Sequence, residues 1–314
     1  MAVVIATRNR ARYLEELLDD LVRQSLPPDQ VFVVDASDHA VAVTIRELVA
    51  QPRAFEVSYL RGKAASAAEQ RNQGAEAAAA DLVVFLDDDV RLEPRFLEEL
   101  AAPFESDSHR RLGGLSGTIT NQVFTPLSRW NRIALELCIG PLPDSLGGRL
   151  VGPAVNFLPE DRPDTIQQVD WLPSGCTAYR GDLFLKHRFP EHFEGYSFAE
   201  DVHLSARIAK THRLLNTTRA RLYHHDRGRE THRDWRALGA SMVRHRYEIM
   251  TEILGRRSRR DHLQLFAYEI VYCTLAWLAG VRPLRPRRLV RLLQGKLMAF
   301  ADLWRKARLE EMSQ

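Results

Sequence analysis

Three carboxylates in a row, Asp87-Asp88-Asp89, follow the apolar run Val83-Val84-Phe85-Leu86. The run reads as a buried strand, and the carboxylates stand at its C-terminal end. Ionised groups this close repel one another, and each loses hydration on burial. A divalent cation is the simplest counter-charge, because hard cations such as Mg²⁺ or Mn²⁺ take oxygen ligands. In open α/β sheets, ligands bind just outside the carboxyl ends of strands. Neighbouring side chains diverge on extended backbone, so Asp87 and Asp89 share a side and Asp89 lies farther out. A solvated acidic turn is the plainer reading of three aspartates taken alone.

Four further groups could join such a site. Asp35 ends the run Val31-Phe32-Val33-Val34, where a strand-end carboxylate can accept hydrogen bonds from a base or ribose; it also suits a turn, with Ser37 and Asp38 beside it. Arg71, in Arg71-Asn72-Gln73-Gly74, can pair with a phosphate or hold an acidic loop. Glu200 and Asp201 open a helix, where acidic residues favour the dipole and where a carboxylate can serve as general base. Tyr223-His224-His225-Asp226 puts histidines at a strand end, able to bind metal or phosphate. With His232 nearby, zinc comes to mind, but there is no matching Cys or HExxH pattern.

The elements that must position these groups alternate. Strand patterns fall at 2–6, 30–35, 55–60 and 82–86, and helical patterns at 11–25, 40–51, 64–80 and 94–104. Such alternation predicts an α/β fold with a mostly parallel sheet flanked by helices. Between 105 and 170 the glycines and prolines mark loops, with a strand at 114–119 and a helix at 127–138. A helix at 199–211 and a strand at 219–224 follow, and then three helices at 231–254, 261–280 and 286–308.

Composition is ordinary for a globular protein of 314 residues, with 45% hydrophobic and 27% charged residues. The scattered cysteines, Cys138, Cys176 and Cys273, form no disulfide framework and fit a reducing compartment. No signal peptide precedes the first strand, so a cytoplasmic location is expected. The net charge of +3 hides an asymmetry. Residues 1–202 hold 20 Lys/Arg against 31 Asp/Glu, and residues 203–314 hold 24 against 10. The basic C-terminal third points to anionic partners. Within it, Leu263–Val281 is largely apolar, but Gln264 and Glu269 argue against a membrane-spanning helix. Followed by Arg282, Arg285, Arg287, Arg288 and Arg291, it could instead lie on an anionic leaflet at the inner face of a membrane.

Together these pieces resemble a family-2 glycosyltransferase of the GT-A fold, from Val3 to about Tyr247. The opening Val4-Ile5-Ala6-Thr7-Arg8-Asn9-Arg10 is similar to the family's first strand and nucleotide-contacting loop. Arg71-Asn72-Gln73-Gly74 matches its RNxG helix, and Asp87-Asp88-Asp89 its DxD segment. Phe193-Glu194-Gly195-Tyr196-Ser197-Phe198-Ala199-Glu200-Asp201 resembles the run into its ED motif, although His203 replaces the Asp often found two residues later. The resemblance implies a GT-A catalytic domain over 1–228, with a nucleotide-binding half to about 110 and an acceptor half from 111, and a helical region over 229–314. It implies inverting transfer from a UDP-, dTDP- or GDP-sugar to a hydroxyl of a glycan or lipid-linked acceptor in cell-surface polysaccharide or glycolipid assembly. Asp201, with Glu200, would be catalytic. Thr7, Arg8, Asn9, Asp35, Arg71, Asp87 and Asp88 would bind the donor. Asp89, Asp87 and His224 would hold Mg²⁺ or Mn²⁺, and the alternation Ala220, Leu222, His224 favours His224 over His225. Trp171, Gly175 and Glu200 would face the acceptor.

Other readings fit less well. There is no GxGxxG or GxxxxGK[ST], and Arg91 stands where a haloacid dehalogenase-type motif needs Thr or Val. A sugar-nucleotide pyrophosphorylase would need a Gly-rich basic loop after the first strand, where this chain has Thr7-Arg8-Asn9-Arg10. A non-catalytic binding protein would be expected to have lost carboxylates that are present here. Nucleic acid is not an expected partner.

Overall fold

The computed structural model describes residues 1–193, 197–225, 234–278 and 285–312. Glu194, Gly195, Tyr196, Asp226, His232, Val281 and Arg282, named above, lie outside the described residues. The first half runs β1 (Ala2–Thr7), α1 (Ala11–Val22), β2 (Gln30–Asp35), α2 (His39–Val49), β3 (Glu56–Arg61), α3 (Ala67–Ala78) and β4 (Leu82–Asp87). These strands pair in parallel in the order β3-β2-β1-β4. The apolar runs of β1, β2 and β4 are buried because helices cover both faces of the sheet. Leu14, Leu17, Leu18 and Leu21 of α1 recur at helical spacing and pack on one face. On the other face α3 approaches so closely that a Cβ on Gly74 would fall 2.4 Å from Val4 Cγ1. Only glycine fits there.

The second half is more mixed than the loop signals imply. It contains β5 (Val90–Leu92), α4 (Phe96–Glu105), β6 (Leu112–Ile119), α5 (Arg129–Ile139), β7 (Leu150–Val151), β8 (Val155–Asn156), β9 (Ile166–Val169), β10 (Cys176–Arg180), α6 (Gly181–His187), α7 (Glu200–Ile208) and β11 (Arg213–His224). β10 inserts antiparallel between β4 and β6, which extends the sheet to β3-β2-β1-β4-β10-β6-β11-β5. Sequence periodicity misses β5, β7, β8, β9 and β10, because short strands carry little pattern. It places the start of β11 at 219, six residues late. That strand breaks register with β6 between Asn216 and Arg221, so its alternation is interrupted.

The C-terminal helices are α8 (Trp235–Glu248), α9 (Arg259–Phe266), α10 (Cys273–Leu278) and α11 (Pro286–Met312). A π-helical turn, Ile249–Ile253, extends α8, and another, Ala267–Tyr272, joins α9 to α10. They pack on the sheet domain through two clusters. Tyr268, Tyr272 and Ala276 meet α5, while Ile249 and Ile253 meet Trp171, Val202 and Ala206.

Candidate active site

β4 lies inside the sheet, and its last residue, Asp87, is in register with Ala6 of β1. The chain then leaves the sheet through Asp88 and Asp89 and re-enters at the far edge as β5. There Val90 pairs antiparallel with His224, the last residue of β11. This crossing brings His224 beside the acidic turn. His224 Nε2 lies 3.5 Å from Asp87 Oδ2 and 3.4 Å from Asp89 Oδ1. The backbone N–H of His225 donates to the Asp89 carbonyl at 2.8 Å, while its ring turns away toward Tyr13 and Glu16. The ligating atoms of Asp87, Asp89 and His224 all lie within 4.8 Å of one another. Two carboxylates and one imidazole suit Mg²⁺ or Mn²⁺. Buried His224 Nδ1 has no hydrogen-bond partner within the protein.

Asp88 points the other way. Thr7 Oγ1 donates to its Oδ2 at 2.7 Å, and Arg10 Nη1 reaches its Oδ1 at 2.9 Å and Asp89 Oδ2 at 2.7 Å. Burial pushes the Asp88 carboxyl up to about 6, against the pull of Arg10 and Thr7. Burial likewise raises Asp89. Burial acts the same way on Asp87, but His224 and Arg71 outweigh it and hold Asp87 well below the usual carboxylate range. His224 is raised in turn, first by its hydrogen bond with Asp87.

Arg71 joins the two acidic motifs. Its Nη2 donates to Asp87 Oδ1 at 2.7 Å, and its Nη1 donates to Glu200 Oε1. The guanidinium is buried, with the Phe189 ring 5.5 Å away. Of the two roles open to it in the sequence, the geometry is that of an acidic-loop clamp. Burial raises Glu200 to about 7 against the pull of Arg71, with Asp201 and Asp87 adding to the rise. Beside it, burial raises half-buried Asp201 to about 6, although Asp201 Oδ1 accepts from the Val202 N–H at 2.8 Å.

The turn that launches α7 is held from the C-terminal helices. Ser197 (φ 48°) and Ala199 (φ 62°) are left-handed, a conformation that costs about 1–2 kcal/mol per non-glycine residue. Between them the Phe198 carbonyl accepts from His245 Nδ1 at 2.8 Å. Arg246 lies 5.2 Å over the Phe198 ring and donates from Nε to the Ala154 carbonyl at 3.1 Å. Nothing in the order of residues marks His245 or Arg246 as neighbours of Asp201, because the contact is made between elements far apart in sequence.

The other expected residues surround this centre. Asn9 (φ 58°) exchanges hydrogen bonds with Asp38, and Arg8 is exposed beside it. Asp35 is fully buried at the end of β2; it accepts from the Ser37 N–H at 2.8 Å and the Tyr59 hydroxyl at 2.9 Å. Gln70 Nε2 ties β1 to β2 through the Thr7 and Val34 carbonyls, at 3.0 and 2.6 Å. A Cβ on Gly175 would sit 2.2 Å from Asp87 Oδ2, so that glycine lets the chain before β10 cover the acidic turn. Trp171 is buried among Val202, Ala206, Ile249 and Ile253 and donates from Nε1 to the Phe157 carbonyl at 2.8 Å. Arg10, named in the sequence only as part of the opening loop, is a further residue of the acidic turn; its place three residues after Thr7 is the available signal.

Residues 2–129 match the sequence profile described as glycosyl transferase family 2. An uncharacterized glycosyltransferase of Bacillus subtilis (strain 168), YwdF, is 29% identical over 106 residues, which span 34% of this chain and 38% of that protein. Among solved structures, the mannosyltransferase PcManGT of Pyrobaculum calidifontis, in complex with GDP-Man and Mn²⁺, aligns at a TM-score of 0.53 with 17% identity over 97% of this chain and 81% of its own. TarS 1–349 of S. aureus, in complex with UDP-GlcNAc, aligns at 0.56 with 19% identity over 94% of this chain and 78% of its own. At such identities the likeness is one of fold. The chain therefore has the GT-A glycosyltransferase fold, with residues 2–129 carrying the match to glycosyl transferase family 2.

Proposed function

We propose that this protein is an inverting glycosyltransferase that moves a sugar from a nucleoside diphosphate sugar to a hydroxyl acceptor. One observation carries the reading: the ligating trio Asp87, Asp89 and His224 and the carboxylate Asp201 are held in one assembly through Arg71 and Glu200. Similar folds bind GDP-Man with Mn²⁺ and UDP-GlcNAc, which supports a donor of that class.

Asp87, Asp89 and His224 would hold Mg²⁺ or Mn²⁺. A cation bound there would neutralise charge on the leaving diphosphate. Thr7, Arg8, Asn9 and Asp35, at or just after the carboxyl ends of β1 and β2, would bind the donor. Asp201 takes the proton from the acceptor hydroxyl. The acceptor oxygen then bonds the anomeric carbon as the bond to the diphosphate oxygen breaks, and the electron pair leaves with the diphosphate. A carboxyl raised to about 6 suits that task, because a base works best with a pKa near the operating pH. Glu200 and Arg71 hold Asp201's helix against Asp87, and Gly175 keeps the acceptor-side chain close to the same carboxylate. The catalytic unit is 1–228 with the helical region over 229–314, and α8 steadies the base-bearing turn. The basic C-terminal third supports a glycan or lipid-linked acceptor in cell-surface assembly.

Thermal unfolding with UDP, GDP, dTDP or CMP, with and without Mn²⁺, tests the reading. Specific binding raises the midpoint with ligand concentration. One nucleotide should shift it, with a dependence on metal that Asp89→Ala removes. No shift from any nucleotide would sink the proposal.

A further inference from the structure

Nine of the eighteen large apolar side chains exposed among the described residues fall within 263–304. Scattered exposed apolar groups are ordinary, but contiguous ones mark an interaction surface. Here they form stripes. Along α9, the π-helical turn and α10, the exposed residues are Leu263, Phe266, Val271, Leu275 and Leu278. The five-residue step from Phe266 to Val271 spans the π turn, which absorbs an extra residue and keeps the stripe on one face. The opposite face, with Tyr268, Tyr272 and Ala276, is buried against α5. On α11, Val290, Leu297 and Trp304 recur every seven residues, opposite buried Leu292 and Ala299. The rings of Phe266 and Phe300 meet at 5.1 Å, which sets the two stripes side by side.

The exposed charges around the stripes are mostly basic. Arg259 and Arg260 at the start of α9, and Arg285, Arg287 and Arg291 around the start of α11, are exposed. The carboxylates of residues 259–306 are already engaged: Asp261 with Arg256, Glu269 with Arg246 and Lys296, and Asp302 with Arg244. No helix among the described residues is long and apolar enough to cross a membrane. We infer that α9, α10 and α11 form a docking face for an anionic lipid bilayer, with the leucine stripes at the acyl boundary and the arginines on headgroup phosphates. Amphipathic helices lie in that plane, and basic residues add attraction to anionic lipid. A second copy of this chain fits poorly, because the same arginines would face each other. The inference stands apart from the reading of the acidic site, since lipid binding needs neither donor nor cation.

Co-sedimentation of the full chain with vesicles tests it, comparing phosphatidylcholine alone with phosphatidylcholine mixed with phosphatidylglycerol. Binding should favour the mixed vesicles and fall as salt rises. Each of Arg285→Gln, Arg287→Gln and Arg291→Gln should weaken it about fivefold. Leu263→Gln and Leu275→Gln should weaken it too, with the unfolding midpoint unchanged because both side chains are exposed. Equal binding to the two vesicle types, or binding to neither, would overturn the proposal. So would dimerisation in light scattering that the leucine variants abolish, since the face would then be a self-interface.

Discussion

At the end of β4, five carboxylates, Asp87, Asp88, Asp89, Glu200 and Asp201, share Arg10, Arg71 and His224, whereas among the C-terminal helices the single carboxylate of Glu269 sits between Arg246 and Lys296. Asp88, Asp89, Glu200 and Glu269 are all buried, so desolvation pushes each of these carboxyls up. The outcomes differ, because in the acidic cluster only Asp87, beside His224 and Arg71, is held low. Asp88, Asp89, Glu200 and Asp201 are all raised by burial. Burial would raise Glu269 as well, but Lys296 and Arg246 outweigh it and hold the carboxyl below its ordinary range. A cluster with more cations than carboxylates is satisfied within the fold. One with more carboxylates than cations has room for a further positive charge, and perturbed groups of that kind gather at functional sites.

The sharpest test of this contrast is Asp201→Asn. Loss of a general base should cost about 10²–10⁴-fold in kcat, with nucleotide-induced stabilisation intact. A variant retaining most of its turnover would show that Asp201 is not the base. Next comes Glu269→Gln, which leaves two buried cations facing an amide. Breaking a buried pair costs about 3–5 kcal/mol, read in urea unfolding. Asp88→Asn is its counterpart in the acidic site. It relieves repulsion from Asp89 and should leave the unfolding midpoint unchanged or raised. Equal losses in the two variants would erase the distinction between the clusters.

A subtler probe is Gly175→Ala. The new methyl would displace the Asp87 carboxylate, and disturbed support of a metal ligand typically costs about 10–100-fold in affinity. Mn²⁺ titration of the nucleotide-induced shift would read it, and unchanged affinity would remove Asp87 from the ligand set. The smallest effect is on pH. A base must be deprotonated, and burial pushes Asp201 up to about 6. The rate should therefore be flat above that value and fall about tenfold per pH unit below it. A cation between Asp87 and Asp89 favours the carboxylate and can only move the midpoint down. An acid limb centred well above 6 would point to another group.

Much of the parallel half is legible in the chain. β1, β2 and β4 are continuous apolar runs bounded by turn residues, and α1 repeats leucines at helical spacing, so local pattern and final environment agree. Asp87 and Asp89 are legible for the same reason, because the strand that carries them announces its own end. The second half is harder to read. β5 has three residues and β9 four, too few for a period to register. β11 breaks its alternation at the irregularity after Asn216. Arg71 shows the limit for a single residue: a helix places it on the sheet, but whether it meets phosphate or carboxylate depends on what else arrives there.

By itself, then, the sequence determined the strand–helix alternation, the carboxylates at a strand end and the basic apolar character of the last third, since each is set by neighbours within a few residues. The alternation along β11 already favoured His224 over His225, but only the tertiary structure decided that it meets Asp87 and Asp89, because that depends on the pairing of β11 with β5. The same holds for Arg71 between Asp87 and Glu200, and for the His245 and Arg246 contacts that fix the turn before Asp201. These are meetings of residues tens of positions apart, and register and packing, not local propensity, bring them together.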